Sequence, residues 1–367
     1  MKSLKALIVI VALCGFLMGT YTSLLSWGLI NLFTDREFTD EGLGKAEAFD
    51  PDRDILYLPK IGDRDIFESA RDLSICRNRE VRRHIYLYLT SKRPYLVRAI
   101  ERSHLYHDAI KKVFRENDDI PEELVLLPLL ESCFDPYAVS TSKAVGLWQI
   151  MDNTAGPLGL RTDRWIDERR DVEKSTAAAI RHLRAMYTTF GRWDLALAAY
   201  NGGAGYLKRT MESTGVKDYW QLIEKGLIRQ ETSEYVPKFV ALLLIYNNQR
   251  LFGIHEDITL PEKANTAEIT LVRPADLRDV ARLGGEEVET IKRLNPELKT
   301  LITPPTMPHY RLLVPLDAEK KIKENPKELY RSGITRVITH RVRPGETLAR
   351  IARRYKKKHL MSSVIIV

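Results

Sequence analysis

The chain has 367 residues, 44% hydrophobic and 29% charged, a balance that suits a folded globular protein. At about 100–200 residues per domain, two or three domains are expected. Its 57 Lys and Arg against 49 Asp and Glu leave a formal net charge of +8, which favours an anionic partner without choosing among nucleic acid, a lipid surface and an acidic wall polymer. The three cysteines, Cys14, Cys76 and Cys133, are odd in number and irregularly spaced. They indicate neither a disulfide framework nor a zinc site, and read as buried free thiols.

After Lys2 and Lys5 no charged residue occurs before Asp35, so residues 6–34 form one uncharged run. As a helix it would extend roughly 44 Å, enough to cross a bilayer. An uncleaved anchor is favoured over a cleaved signal or a lipoprotein, because Leu13 stands where a lipoprotein signal has a small residue before Cys14. Basic residues before the run, and Asp35, Glu37, Asp40 and Glu41 after it, place the body outside the cytoplasm. Residues 35–65, rich in Asp, Gly and Pro, read as a linker. From 66 to 114 apolar residues such as Ile85, Leu89, Leu96 and Ile100 recur at amphipathic-helix spacing.

A further helix is expected from Pro121, with Glu122 and Glu123 in its first turn, running through Glu131 and stopping before Pro136. Others are expected at 172–190, 193–201 and 235–250, the second stopped by Gly202-Gly203. Almost no period-2 alternation occurs between 66 and 250, so this body is predicted to be all-α. Beyond about 256 the texture changes. Strands at 270–273 and 310–314 bracket helices at 277–282 and 287–294, a small β-α-α-β unit. Its Val272-Arg273-Pro274-Ala275-Asp276-Leu277 resembles Val342-Arg343-Pro344-Gly345-Glu346-Thr347-Leu348, an internal repeat whose second copy lacks room for its second helix.

Glu131 follows Leu126, Leu127, Leu129 and Leu130 with no adjacent basic residue. If buried there, its carboxyl would have a raised pKa and could donate a proton to a leaving glycosidic oxygen. The plainer reading is an exposed glutamate at a helix end. The surrounding residues read Glu131-Ser132-Cys133-Phe134-Asp135-Pro136-Tyr137-Ala138-Val139-Ser140, then Gly146-Leu147-Trp148-Gln149-Ile150. Downstream come Asp167-Glu168-Arg169-Arg170-Asp171, Ser175-Thr176-Ala177-Ala178, Ala198-Ala199-Tyr200-Asn201-Gly202-Gly203 and Glu231-Thr232-Ser233-Glu234-Tyr235-Val236-Pro237. In this order the blocks resemble the soluble-lytic-transglycosylase domain family over about residues 80–250, in particular its membrane-bound lytic murein transglycosylase D group.

The resemblance implies a mainly α, lysozyme-like catalytic domain at 116–255. It follows an anchor at 1–34 and a linker with a helical N-terminal region at 35–115. The resemblance makes Glu131 the sole catalytic acid/base, with Ser140, Gln149, Tyr200, Asn201 and Tyr235 lining a sugar groove. Amides and hydroxyls suit amino sugars, and aromatic rings offer flat apolar faces. Plainer roles stand beside these: Ser140 as a cap, Trp148 in the core, Tyr200 to Gly203 as a helix end, and Arg169-Arg170-Asp171 as a structural ion pair or cap. Lys143 stands where the family often has Gly, and would strain the loop if that position needs a positive φ. His104, His107 and His182 lack ligand-like spacing, so no metal is expected.

The implied reaction is cleavage of the bond between N-acetylmuramic acid and N-acetylglucosamine in peptidoglycan. Glu131 protonates the bridging oxygen, the muramoyl N-acetyl group stabilises the cation, and Glu131 then takes the 6-hydroxyl proton as a 1,6-anhydro ring closes. No cofactor is needed. The C-terminal units at 256–335 and 336–367 resemble LysM modules that bind N-acetylglucosamine-containing glycans, the first divergent or a spacer, the second partial. The expected location is the periplasmic side of the cell envelope, membrane-anchored or exported. The rivals are a lysozyme-type hydrolase using Glu131 and a non-catalytic wall-binding protein. A nucleic-acid binder is disfavoured, since no motif for one is present.

Overall fold

The computed structural model describes residues 78–330, apart from 251, 264 and 308, and residues 343–356. The expected anchor at 6–34, the linker, Cys14, Cys76 and both ends of the partial repeat lie outside the described residues. No helix among the described residues is long and apolar enough to cross a membrane.

In chain order the helices are α1 Arg79–Leu89, α2 Arg93–Arg115, a 3-10 turn Glu122–Leu126, α3 Leu127–Glu131, α4 Asp152–Ala155, α5 Val172–Phe190, α6 Trp193–Gly202, α7 Ala204–Thr214, α8 Tyr219–Glu224 and α9 Gln230–Asn247. Strand β1 Thr266–Leu271, helices α10 Leu277–Gly284 and α11 Val288–Leu294, strand β2 Tyr310–Pro315, and helices α12 Leu316–Glu324 and α13 Leu348–Lys356 follow. The described residues are thus mostly helical, with one two-stranded sheet, as the periodicity predicted. Contacts divide them into two compact units: the residues up to Thr154 with Thr176–Leu260, and Ala155–Ser175 with the residues from Pro261 onward.

The first unit is built around α9. Eleven of its eighteen residues, from Thr232 to Ile245, are buried. A helix apolar on every face belongs inside a protein, and α1, α3 and α6 all pack on it. The sequence predicted one helix from Pro121 almost to Pro136; instead a 3-10 turn passes into a single short α-helix that ends at Glu131. Pro128 has no N–H to continue a ladder from Leu124 but fits the first turn of a helix, so the α-helix starts afresh at Leu127. After Ser132, Cys133 (φ 55°) and Phe134 (φ 53°) both take left-handed conformations and turn the chain away. Helices α7 and α8 were not anticipated.

In the second unit β1 and β2 pair antiparallel, from Thr266 opposite Pro315 to Leu271 opposite Tyr310. The β-α-α-β order is the predicted one. Asn295, just after α11, donates through Nδ2 to the Leu313 carbonyl (2.8 Å) and accepts from the Leu313 N–H (2.9 Å), so one amide side chain pairs with β2 as a strand would. Helix α12, absent from the sequence prediction, buries Ala318 and Ile322 in the same core. Residues 155–175 group here by their contacts. Ile166 is fully buried in this core and bridges Leu298. The Asp167 N–H donates to the Glu297 carbonyl (2.9 Å) and the Lys299 N–H to that of Trp165 (2.9 Å). Arg169 forks onto the Asp167 carboxylate with two bonds of 2.9 Å, both side chains being buried, and Asp171 accepts from the Lys174 N–H (2.9 Å). Their plainer reading as ion pair and cap describes what they do here.

Candidate active site

Because α3 ends at Glu131, this carboxyl projects from a helix terminus that is otherwise leucine-lined and buried. The terminus is held on two sides. Ser132 Oγ donates to the Leu147 carbonyl (2.9 Å), and the Arg102 guanidinium donates to the carbonyl of Cys133 (3.3 Å). Asp135, which an uninterrupted helix would stack on Glu131, is instead turned to Arg102 (3.9 Å) and to the Tyr137 N–H (2.8 Å).

Tyr235, buried in the second turn of α9, donates its hydroxyl to Glu131 Oε1. Burial pushes the Glu131 carboxyl from its ordinary 4.5 up to about 7, with the negative charge of Glu231 adding to the rise and the Tyr235 hydroxyl opposing it. The Tyr235 phenol itself is held well above its usual range, chiefly by burial and then by the Glu131 and Tyr200 charges, so it stays protonated as a donor. The residue that an apolar helix pointed to is therefore a carboxyl able to carry a proton near neutral pH.

Tyr200 and Asn201 close α6. The Tyr200 hydroxyl donates to the Trp148 carbonyl (2.7 Å), and its ring meets that of His182 at 5.2 Å. The Glu131 charge, after burial, helps hold the Tyr200 phenol protonated, which puts both in one electrostatic neighbourhood. Asn201 Oδ1 accepts from the Thr232 hydroxyl (3.1 Å), which leaves its NH2 group as the donor for a ligand. Gly202 makes this approach possible, since a Cβ there would lie 2.6 Å from Thr232 Oγ1.

Gln149 and Ser140 belong to the loop between α3 and α4. Antiparallel bridges of Val139 with Val145 and of Val145 with Ile150 fold it into two tight turns. Trp148 anchors it: the ring is fully buried, donates to Thr176 Oγ1 (2.9 Å) and stacks on Phe114. Trp148 is thus core, as its plainer reading had it. Gln149, at φ 47°, donates its Nε2 to the Gly146 carbonyl (2.9 Å) and keeps its side-chain oxygen as an acceptor. Ser140 Oγ accepts from the Ala144 N–H (3.0 Å), so it caps the first turn and is not bonded to the Glu131 group. Lys143 closes that turn at φ 65°, the positive value that its replacement of Gly put in question.

Sequence reasoning did not single out Thr232, Glu231 or Tyr219. The first two lie in the same block as Tyr235, and helical spacing puts them one turn before it. Tyr219 lies in none of the blocks.

Residues 108–223 match the model of the transglycosylase SLT domain, and residues 265–331 that of the lytic transglycosylase MltD, LysM-like domain. The membrane-bound lytic murein transglycosylase D of Escherichia coli strain K12 is 34% identical over 255 residues, covering 64% of this chain and 54% of that protein. The membrane-bound lytic murein transglycosylase C of Edwardsiella ictaluri is 33% identical over 127 residues, covering 31% of this chain and 35% of that one. The 70 kDa soluble lytic transglycosylase SLT70 of Escherichia coli overlaps with a TM-score of 0.36 at 20% identity, over 52% of this chain and 32% of that structure. The chain spans about half the length of its transglycosylase D relative. Residues 108–223 thus resemble a transglycosylase SLT domain, and residues 265–331 the LysM-like domain of lytic transglycosylase D.

Proposed function

We propose that the chain is a peptidoglycan lytic transglycosylase that cleaves the bond between N-acetylmuramic acid and N-acetylglucosamine and leaves 1,6-anhydromuramoyl ends. The observation that carries this is the protonatable Glu131 carboxyl, half-buried at a helix end and bonded by Tyr235. Glu131 gives its proton to the bridging oxygen as the bond to C1 breaks, and the muramoyl N-acetyl group shields the cationic centre. The resulting carboxylate, stabilised by the Tyr235 hydroxyl, takes the proton of the 6-hydroxyl while that oxygen closes onto C1. Proton and electron pairs balance with no water consumed. Tyr200, Asn201 and Gln149 offer a ring face, an amide donor and an amide acceptor to the sugars. Ser140, with one lone pair bonded to the Ala144 N–H, keeps its proton and its second lone pair for a ligand.

A hydrolase needs a second carboxylate to activate water or attack the sugar. The carboxylate whose charge reaches Glu131 is Glu231, exposed on the first turn of α9, and this favours the hydrolase as the second reading. Relatives carrying the words membrane-bound and murein support a site of action at the cell envelope, for which the periplasmic side is proposed. Mass spectrometry of the soluble products of purified sacculi tests the proposal. Anhydromuramoyl ends that disappear with Glu131→Gln are expected; reducing muramic ends would make the protein a hydrolase, and no cleavage would leave wall binding.

A further inference from the structure

Helix α9 carries a proline two residues after Tyr235. In a regular helix the Ser233 carbonyl would accept from the N–H of residue 237, but Pro237 has none. The ladder is thus broken within a turn of the hydroxyl that bonds Glu131, in a stretch where Thr232, Tyr235, Val236 and Pro237 are all buried. A break there would leave the direction of the first turn open, and with it the position of the Tyr235 ring.

Tyr219 of α8 fills the break. Its ring is fully buried, and its hydroxyl donates to the carbonyls of both Thr232 (2.9 Å) and Ser233 (3.0 Å). One phenol therefore meets the carbonyl that Pro237 leaves without its helical donor and the carbonyl just before it. The residues it touches are those that place the site: Thr232 holds Asn201, and Tyr235 follows Ser233 by two positions.

We propose that Tyr219 is a positioning residue for Glu131: it replaces the hydrogen bond that Pro237 deletes, and so sets the Tyr235 hydroxyl on the carboxylate. It touches no reacting atom and acts through α9. This rests on Glu131 being the acid/base of the reading above. A purely packing role for the ring would be kept by phenylalanine, and a role specific to the proline break would be repaired by restoring the amide at 237.

The test uses the full chain carrying Tyr219→Phe, Pro237→Ala and both together. The titration of the Glu131 carboxyl is followed by carbon-detected NMR and assigned by its loss in Glu131→Gln. Rates on sacculi are followed in parallel. Tyr219→Phe is expected to move the Glu131 titration upward, in the direction of Tyr235→Phe but by less, and to lower kcat about tenfold with KM little changed. The double variant is expected to recover most of both effects. A Tyr219→Phe protein whose Glu131 titrates as in the wild type overturns the proposal. So does a defect, including loss of folding, that Pro237→Ala leaves unrepaired. If the wild type cleaves no glycan, the proposed reaction fails, while the titration still decides the place of Tyr219.

Discussion

The proton on Glu131 is set by opposing neighbours, and each can be removed singly. The Tyr235 hydroxyl stabilises the carboxylate, so Tyr235→Phe should raise the Glu131 pKa above its value near 7 and move the alkaline limb of activity upward. The Glu231 charge disfavours the carboxylate, so Glu231→Gln should move that limb downward while anhydromuramoyl products persist. Rates against pH on sacculi read both; shifts of the same sign would contradict the arrangement. A stability consequence follows from the same burial. The carboxyl ionises at about 7 in the fold against an ordinary 4.5, so the folded state holds the proton longer than the unfolded chain. Wild-type stability is therefore penalised as pH rises through this window, not as it falls. Glu131→Gln should match the wild type at pH 4 and exceed it at pH 8 by about 1–3 kcal/mol, measured from urea midpoints. The carboxyl among leucines alone left an exposed helix end as the plainer reading, and Glu131 could be picked out from sequence because the blocks around it resemble a known family. Its bond to Tyr235 could not, because the partners lie 104 positions apart and only the packing of α9 joins them. The same holds for Thr232 and Asn201.

Helices long enough to show their period were legible, and α5 has the predicted limits. The segment ending at Glu131 was not. A proline at 128 and two non-glycine left-handed residues at 133 and 134 fix its end, and neither Cys nor Phe signals such a conformation. The loop that follows carries similar strain at Lys143 and Gln149. A left-handed non-glycine residue costs about 1–2 kcal/mol, part of which glycine loses again through its freer unfolded chain. Lys143→Gly should accordingly raise stability by about 0.5–1 kcal/mol in a denaturant titration with activity retained. A loss of stability would mean that the side chain of Lys143 does more for the loop than its backbone costs. Helices α8 and α12 are short, and α7 buries only Leu207, so none of them shows the apolar stripe that a periodicity reading detects.

At the scale of the molecule, the β-α-α-β order was legible from the change of texture near residue 256, whereas the packing of Ile166, in segment 155–175, was not. Nothing local in that segment shows that Ile166 completes a core formed by residues more than 100 positions later. Ile166→Ala should destabilise the second unit by about 2–5 kcal/mol, the usual range for such a truncation in a packed core, read by hydrogen exchange at β1 and β2. The same readout predicts weak protection in a fragment beginning at 261, because it lacks both Ile166 and the Trp165–Lys299 backbone bond.

The measurement closest to the central claim is digestion of sacculi in water enriched in oxygen-18, with the muramoyl ends weighed by mass spectrometry. Glu131 acting first as acid and then as base on the substrate's own 6-hydroxyl predicts anhydro ends that carry no heavy oxygen and are lost in Glu131→Gln. One heavy oxygen on each new muramoyl end would show that water is the nucleophile, and would contradict the account.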